Sequence, residues 1–390
     1  APVVRAPASV VAQVEALERV KAAEGRLASS AQIHALRRGA ESLFDDQVAA
    51  SVLSLPDFGE PRLNNILIME GRVPSAASAK EVVVLHAFYQ AQGLALGDEI
   101  DLKIQGELHA FTIVGAAMAP EFLYVTAPGE IAPDPKRFAA LWMAENTLAP
   151  LLSMEGAINE ILLDLDRGAD LESVLGTVED TLERYGSLGA YGRADQPSNR
   201  YLSEELMGLQ VSSTVVPPIF LAISAFLLNM VVARMVQAQR KQIGLLKAFG
   251  YTGIEIATHY MKFVLITALG GAALGSVLGI ILGQYLAEYF QVYFKFPFLI
   301  FSVDPATFAY SFLVSVGAGS AGGALVMFRV FRLTPTEAMQ PTKPEDYSGS
   351  SRVFDLLKPV LDQSSRMIIR HVMRHRVKSL LSAIGLAAGM

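Results

Sequence analysis

The sequence predicts a membrane protein: all-α transmembrane helices joined to an α+β domain that faces water. Three observations lead there. Of 390 residues, 52% are hydrophobic and only 18% charged, and mean hydropathy is +0.37, too apolar for an ordinary soluble chain of this size. The charge is also divided. Residues 1–210 hold 16 Lys/Arg against 30 Asp/Glu, net −14, while residues 211–390 hold 16 against 8, net +8. Finally, three stretches of 23, 25 and 24 residues carry no charge at all: Val211–Ala233, Phe263–Ala287 and Pro305–Phe328. About 20 helical residues cross a bilayer. A further apolar stretch begins at Ser379 and runs 12 residues to Met390.

Residues 1–206 alternate helix and strand signals. Val10, Val14 and Leu17 make one helical stripe, and Leu171, Val174, Leu175, Val178 and Leu182 make another. Strands are expected at Glu81–His86, Glu99–Ile104 and Ile161–Asp166. The turn Gln105-Gly106 joins Glu99–Ile104 to Leu108–Val114 as a hairpin. Phe122–Val125 is expected as one more strand, and the repeat of the strand-then-helix theme up to Gly186 suggests two subdomains. Asp98, Glu99 and Asp101 are expected on solvated acidic surface.

Basic residues set the orientation of the spans. The first connection holds Arg234, Arg240, Lys241, Lys247 and Lys262 against Glu255 alone. The second, Glu288–Asp304, has only Lys295. Arg329, Arg332 and Lys343 follow the third span, and Arg366, Arg370, Arg374, Arg376 and Lys378 come later. Connections one and three are therefore expected inside the cell, and the first 206 residues and connection two outside. His371 and His375 belong to this basic flank, whose cations oppose a dication, so no metal site is expected.

Small residues recur every fourth position in two spans: Gly271, Gly275, Gly279 and Gly283 in the second, and Ser315, Gly319 and Gly323 in the third. Such faces let helix backbones approach closely in lipid, either within one chain or between two.

The chain has no cysteine and no Gly-Lys pair, so thiolate chemistry and a phosphate-binding P-loop are both excluded within it. No nucleophile, metal cluster or acid–base pair stands out. An enzyme is not expected, nor a cofactor, nor a nucleic-acid partner. The first connection is amphipathic. Ile243, Leu246, Phe249 and Ile254 mark an apolar face among basic residues, and Gly244, Gly250 and Gly253 are candidates to break or cap a short helix. That face suits either a lipid surface or a partner's groove.

Arg240-Lys241 followed by Gln242-Ile243-Gly244-Leu245-Leu246-Lys247-Ala248-Phe249-Gly250-Tyr251 resembles the hallmark segment of FtsX-like (MacB-type) ABC-transporter permeases, in which Glu is usual where Gln242 stands. Glu70–Pro74, Glu81–Val84, Gly97-Asp98 and Phe111–Gly115 resemble the periplasmic core domain of the same family. Leu333–Met339 resembles the close of a permease unit, and Ile369–Gly385 the opening of another.

The resemblance implies a periplasmic core domain at 1–206, a permease domain at 207–345, and at 346–390 a linker and the start of a second unit. That arrangement is similar to the ten-span (YbbP-like) members, and it implies a span before residue 1. It further implies a bacterial inner-membrane location and a separate ABC ATPase subunit that binds ATP and Mg²⁺ and docks on residues 240–251. Other implied partners are membrane lipid, a periplasmic protein and a second permease unit. Two functions fit the resemblance: ATP-driven transport, extraction or mechanotransmission, or regulation of a periplasmic hydrolase or signalling partner.

Overall fold

The computed structural model describes residues 1–334 apart from residues 40, 45, 46, 79, 128, 131 and 333. The expected second permease unit and the stretch from Ser379 lie outside the described residues. In chain order the elements open with β1 (Pro2–Pro7), α1 (Val10–Glu15), β2 (Val20–Arg26), β3 (Ala28–Arg38), β4 (Glu41–Phe44), β5 (Val48–Leu55) and β6 (Leu67–Gly71). Then come β7 (Glu81–Leu85), α2 (His86–Ala91), β8 (Glu99–Ile104), β9 (Glu107–Met118), β10 (Phe138–Ala144) and α3 (Glu145–Leu151). The chain continues through β11 (Ala157–Leu165), α4 (Leu171–Leu182), α5 (Pro197–Ala238), α6 (Arg240–Ala248), α7 (Gly253–Tyr293) and α8 (Pro305–Arg332). Two compact units result. Ala1–Gly208 with Tyr285–Phe301 form the first, and Leu209–Gln284 with the described residues from Ser302 onward form the second.

The first unit holds two sheets. The smaller, ordered β1-β11-β2, is antiparallel throughout. Val10 and Val14 of α1 and Val174, Val178 and Leu182 of α4 bury themselves with Ile158 and Ile161 of β11. This is the fate of the two helical stripes seen in the sequence. In the larger sheet the pairings β3-β5-β10-β7-β9-β8 return to β3 and close a ring, with β4 and β6 attached to β3 and β9. Closure leaves those six strands no free edge. β7 and β10 sit within it as near-continuous apolar runs, and Val82–Leu85 and Ala139–Ala144 are all buried, as strands covered on both faces are. The hairpin turns on Gln105 and Gly106, both at positive φ (52° and 91°), the geometry of a two-residue turn that twists with its strands.

Three stretches meet in this sheet, residues 71–75, 81 and 114–115. The guanidinium of Arg72 donates to both carboxylate oxygens of Glu81 at 2.7 Å, and the Ser75 N–H adds a third bond at 2.8 Å. Beside them β6 and β9 run so close that a Cβ on Gly71 would strike the Val114 carbonyl, and one on Gly115 the Arg72 carbonyl. Gly71 is also at φ +75°. The two glycines are required by that approach. A second network ties the sheets together. Arg26 bonds Glu160 at 2.6 Å and forks onto Glu121 at 2.8 Å through each terminal nitrogen.

Three expectations are corrected. Phe122–Val125 is not a strand. A single 3₁₀ turn at Pro120–Phe122 takes in its first residue, and the Tyr124 N–H donates to Ser198 Oγ (2.8 Å) rather than to a ladder. Its apolar side chains serve packing instead, with Phe122 edge-on to Trp142 at 5.7 Å. The subdomains do not follow one another along the chain either, because β11 and α4 join the N-terminal β1, α1 and β2. Lastly, Asp98 and Asp101 are not surface acids. They are 3% and 8% exposed. Asp98 accepts from Arg38 (2.8 and 2.9 Å) and from the Ala95 N–H (2.7 Å), while Asp101 accepts from Arg37 (2.5 Å). The Arg38 guanidinium holds the Asp98 carboxyl below the usual carboxylate range, the cost of burial opposing it. Buried carboxylates need such partners, and theirs come from β3, about 60 residues earlier.

In the second unit α5, α7 and α8 are long and apolar enough to cross a membrane. α5 and α7, at 42 and 41 residues, would extend about 60 Å at 1.5 Å per residue, well beyond the charge-free stretches they contain.

Candidate functional site

The segment singled out by the sequence forms an elbow between two spans. α5 ends at Ala238, and Gln239 leaves helical geometry (φ −95°, ψ 12°) before α6 starts at Arg240. One residue of α6 turns inward. Ile243 is fully buried with Val232 and Val236 of α5, Ile256, Ala257, Tyr260 and Val264 of α7, and Val326 and Met327 of α8. The Tyr260 hydroxyl donates to Gln239 Oε1 at 2.5 Å, fixing the break between α5 and α6 to α7.

The end of α6 is locked by its own backbone. The Gly250 N–H donates to Lys247 O and the Tyr251 N–H to Leu246 O, both at 3.1 Å. With Gly250 at φ +95°, this is the paired bonding of a Schellman cap, which needs a residue that tolerates the left-handed region. The next helix is capped at once. The Thr252 N–H and hydroxyl donate to Glu255 Oε2 (2.8 and 2.9 Å), and the Glu255 N–H donates back to Thr252 Oγ1 (3.3 Å). That is a capping box. The sequence signal was present as Thr252-Gly253-Ile254-Glu255 and was missed. Gly253 opens α7 rather than ending α6, and a Cβ there would meet the Phe331 ring at 3.3 Å. Gly244 lies buried inside α6 and breaks nothing.

The expected four-residue apolar face is therefore split. Ile243 faces the helices, whereas Leu246, Phe249 and Ile254 face outward at 39%, 75% and 68% exposure. Leu245 and Tyr251 join the outward set. Lys241, Gln242, Ala248 and Gly250 are exposed too, and Arg240 and Lys247 are half-buried. The reason is geometric. Residues 243 and 246 lie only about 60° apart around a helix, so spacing alone does not separate them; α6 is short and buries only the narrow strip that carries Ile243 and Gly244. The outcome is a rigid turn that presents large apolar side chains beside exposed Lys241 and Gln242.

The small-residue faces divide as well. A Cβ at Gly271, Gly275 or Gly279 would meet nothing within 4 Å, and Gly283 is half-buried. On α8, a Cβ at Gly319 would lie 3.0 Å from Ala268 Cβ and one at Gly323 2.5 Å from Val264 Cγ1, both on α7. Ser315 is half-buried and donates to the Ser311 carbonyl at 2.8 Å. Gly322, absent from the expected face, makes the tightest approach. A Cβ there would overlap the Ala225 backbone of α5, and Asn229 Nδ2 donates to its carbonyl at 2.8 Å. Among the described residues no group of three or more His, Cys, Asp or Glu could hold a metal ion.

Residues 214–335 match the family model described as FtsX-like permease C-terminal. No curated protein matches the chain. Among solved structures, the periplasmic region of MacB from Actinobacillus actinomycetemcomitans aligns at 12% identity and TM-score 0.29, covering 46% of this chain and 76% of that one. The extracellular domain of the noncanonic ABC-type transporter YknZ from Gram-positive bacteria aligns at 8% identity and TM-score 0.30, covering 47% and 87%.

Proposed function

From the match of residues 214–335 to the FtsX-like permease C-terminal family model, we propose that this chain is the permease subunit of an ABC transporter, coupled through the α6 elbow to a separate ATPase. The chain lies in the bacterial inner membrane as a multi-pass protein, with residues 1–206 periplasmic and residues 234–260 cytoplasmic. The Lys/Arg bias of the connections supports that orientation. ATP and Mg²⁺ belong to the partner, and this chain needs no cofactor of its own. Hydrolysis there moves the elbow, and the spans carry the motion to the periplasmic domain for transport, extraction or mechanotransmission.

The observation that carries the reading is the split of the elbow. Leu246, Phe249 and Tyr251 stand exposed on a turn fixed by a Schellman cap and a capping box, while Ile243 seats the turn on all three spans. A lipid-lying helix needs no such rigid end, whereas a docking knob gains affinity from being ordered beforehand. Hot spots in protein interfaces are few and enriched in Trp, Tyr and Arg, each worth roughly 2 kcal/mol or more.

The test is co-purification of the ATPase with the chain in detergent. Phe249→Asp and Leu246→Asp are expected to remove the ATPase while membrane levels and thermal stability stay unchanged. Ile243→Asp is expected to lower stability itself, since it buries an unpaired charge. Undiminished ATPase recovery with both exposed variants would overturn the assignment.

A further inference from the structure

Within the first unit a cavity of about 290 Å³ opens between the start of α5 and the end of α7, near the lower size limit of small-molecule sites. Its lining is built by helical repetition. Tyr201 and Glu205 lie one turn apart on α5, as do Tyr289 and Tyr293 on α7, with Phe290 and Phe294 alongside. Residues at i and i+4 share a face, so each helix presents one stripe to the space. Tyr124 closes it from the loop after β9, with ring centroids 4.7 Å from Tyr201 and 5.2 Å from Phe294. That loop is tied to both helices. The Tyr124 N–H donates to Ser198 Oγ at 2.8 Å, and the Lys295 N–H donates to the Leu123 carbonyl at 2.9 Å.

The chemistry of the lining is selective. Six aromatic rings surround the space, and Glu205 is its one charged residue among the described residues. No described Lys or Arg forms an ion pair with Glu205, although its neighbour Glu204 pairs with Arg200 at 3.6 Å. A lone carboxylate cannot hold a hard metal cation, which requires several oxygen ligands. Aromatic faces attract weakly hydrated organic cations, the recognition used for quaternary ammonium groups. The Tyr289 and Tyr293 hydroxyls lie 2.9 Å apart, and their rings stand at 66°, so the wall is a corner rather than a flat stack. Interfacial aromatic belts ordinarily surround a protein and face the lipid headgroups. These rings instead face one another around a cavity that contains a carboxylate.

We propose that this cavity binds an organic ammonium group, the aromatic rings supplying cation–π attraction and Glu205 the counter-charge. The inference does not depend on the ATPase docking of α6. The ammonium could be carried by a lipid headgroup or by a soluble amine, and the experiment separates the two sources.

The probe is choline, titrated calorimetrically into the full chain in detergent against 3,3-dimethylbutan-1-ol, which has the same shape with carbon in place of the charged nitrogen. Choline is expected to bind saturably and about two- to fivefold more tightly than the alcohol, the scale of a solvent-exposed cation–π contact. Glu205→Gln and, separately, Tyr201→Leu should each weaken choline several-fold without moving the thermal midpoint, because both side chains are exposed. Repeating the titration in nanodiscs assigns the source. A lipid-borne group predicts that phosphatidylcholine discs abolish choline binding and phosphatidylglycerol discs retain it, whereas a soluble amine predicts binding in both. Equal affinity for choline and the neutral alcohol, or no saturable choline binding in detergent and phosphatidylglycerol discs, would overturn the proposal.

Discussion

Two glycine faces in the second unit share one spacing and meet opposite surroundings. On α8, Gly319 and Gly323 sit against Ala268 and Val264 of α7, and Gly322 beside them lies against the α5 backbone. On α7, Gly271, Gly275 and Gly279 face open space although they follow the same every-fourth-residue pattern. α7 meets α8 through Val264 and Ala268, one to two turns before its glycines begin. Small-residue spacing thus identifies a face on which backbones can approach, but whether that face is filled depends on which helix lies opposite. The tightest contact among the span glycines is at Gly322, outside the pattern.

The largest expected effect follows from that contact. Gly322→Leu must push α5 and α8 apart and break the Asn229 bond to the Gly322 carbonyl. A cost of about 3 kcal/mol or more is expected, because the obstacle is backbone rather than a side chain able to change rotamer. The measurement is the yield of folded protein and its unfolding midpoint in detergent. A Gly322→Leu chain as stable as the unsubstituted one would remove the basis for calling the α8 face packed.

The same contrast between a pattern and its partner decides what the sequence could reveal. The spans were legible because lipid imposes a composition over 20 or more consecutive residues, and nothing distant has to be known to see it. The hairpin at Gln105-Gly106 and the stripes of α1 and α4 were legible for the same local reason. Asp98 and Asp101 were misjudged because their partners, Arg38 and Arg37, lie on a strand about 60 residues away. Strand alternation says which way a side chain points, not what waits there. In the elbow, the composition and the turn glycine Gly250 could be read, but the inward seat of Ile243 depends on three helices arriving together. The aromatic cavity drew no attention because Tyr201, Tyr289 and Tyr293 look like ordinary flank residues until Tyr124 is brought beside them.

A smaller effect tests the first unit's own close glycine approach, that of Gly71 and Gly115, which is flanked by the Arg72–Glu81 pair. Glu81 is held down to about 2 from an ordinary 4.5, chiefly by the Arg72 guanidinium and with help from the Ser75 N–H, against the opposing cost of burial. The folded form therefore keeps Glu81 ionised where the unfolded chain takes up a proton. Its stabilisation is complete above pH 4.5 and is lost as pH falls towards 2. Arg72 is more than half exposed, so solvent screening limits the contribution to about 1 kcal/mol or less. Glu81→Gln is expected to lower the midpoint slightly at neutral pH and to flatten its decline between pH 4.5 and 2. An acid limb identical in both proteins would mean that the pair adds nothing to the antiparallel ladder that holds β6 on β9.

The smallest expected effect on the chain itself, and the sharpest use of the comparison, is Gly275→Leu. The α7 face is open, so a leucine there meets no atom within 4 Å of its Cβ. Its helix propensity also exceeds that of glycine by roughly 0.5 kcal/mol or more. Stability of the isolated chain should therefore be unchanged or slightly higher, the opposite sign from Gly322→Leu on an identical type of face. What can change is assembly. If a second permease unit covers Gly271, Gly275 and Gly279, Gly275→Leu separates the two and lowers their co-purification while the midpoint of each stays put. If lipid covers the face, co-purification is unaffected, since lipid chains conform to either surface. A fall in the midpoint of the isolated chain fits neither outcome. It would mean that the α7 glycines pack within the chain after all, and the contrast between the two faces would fail.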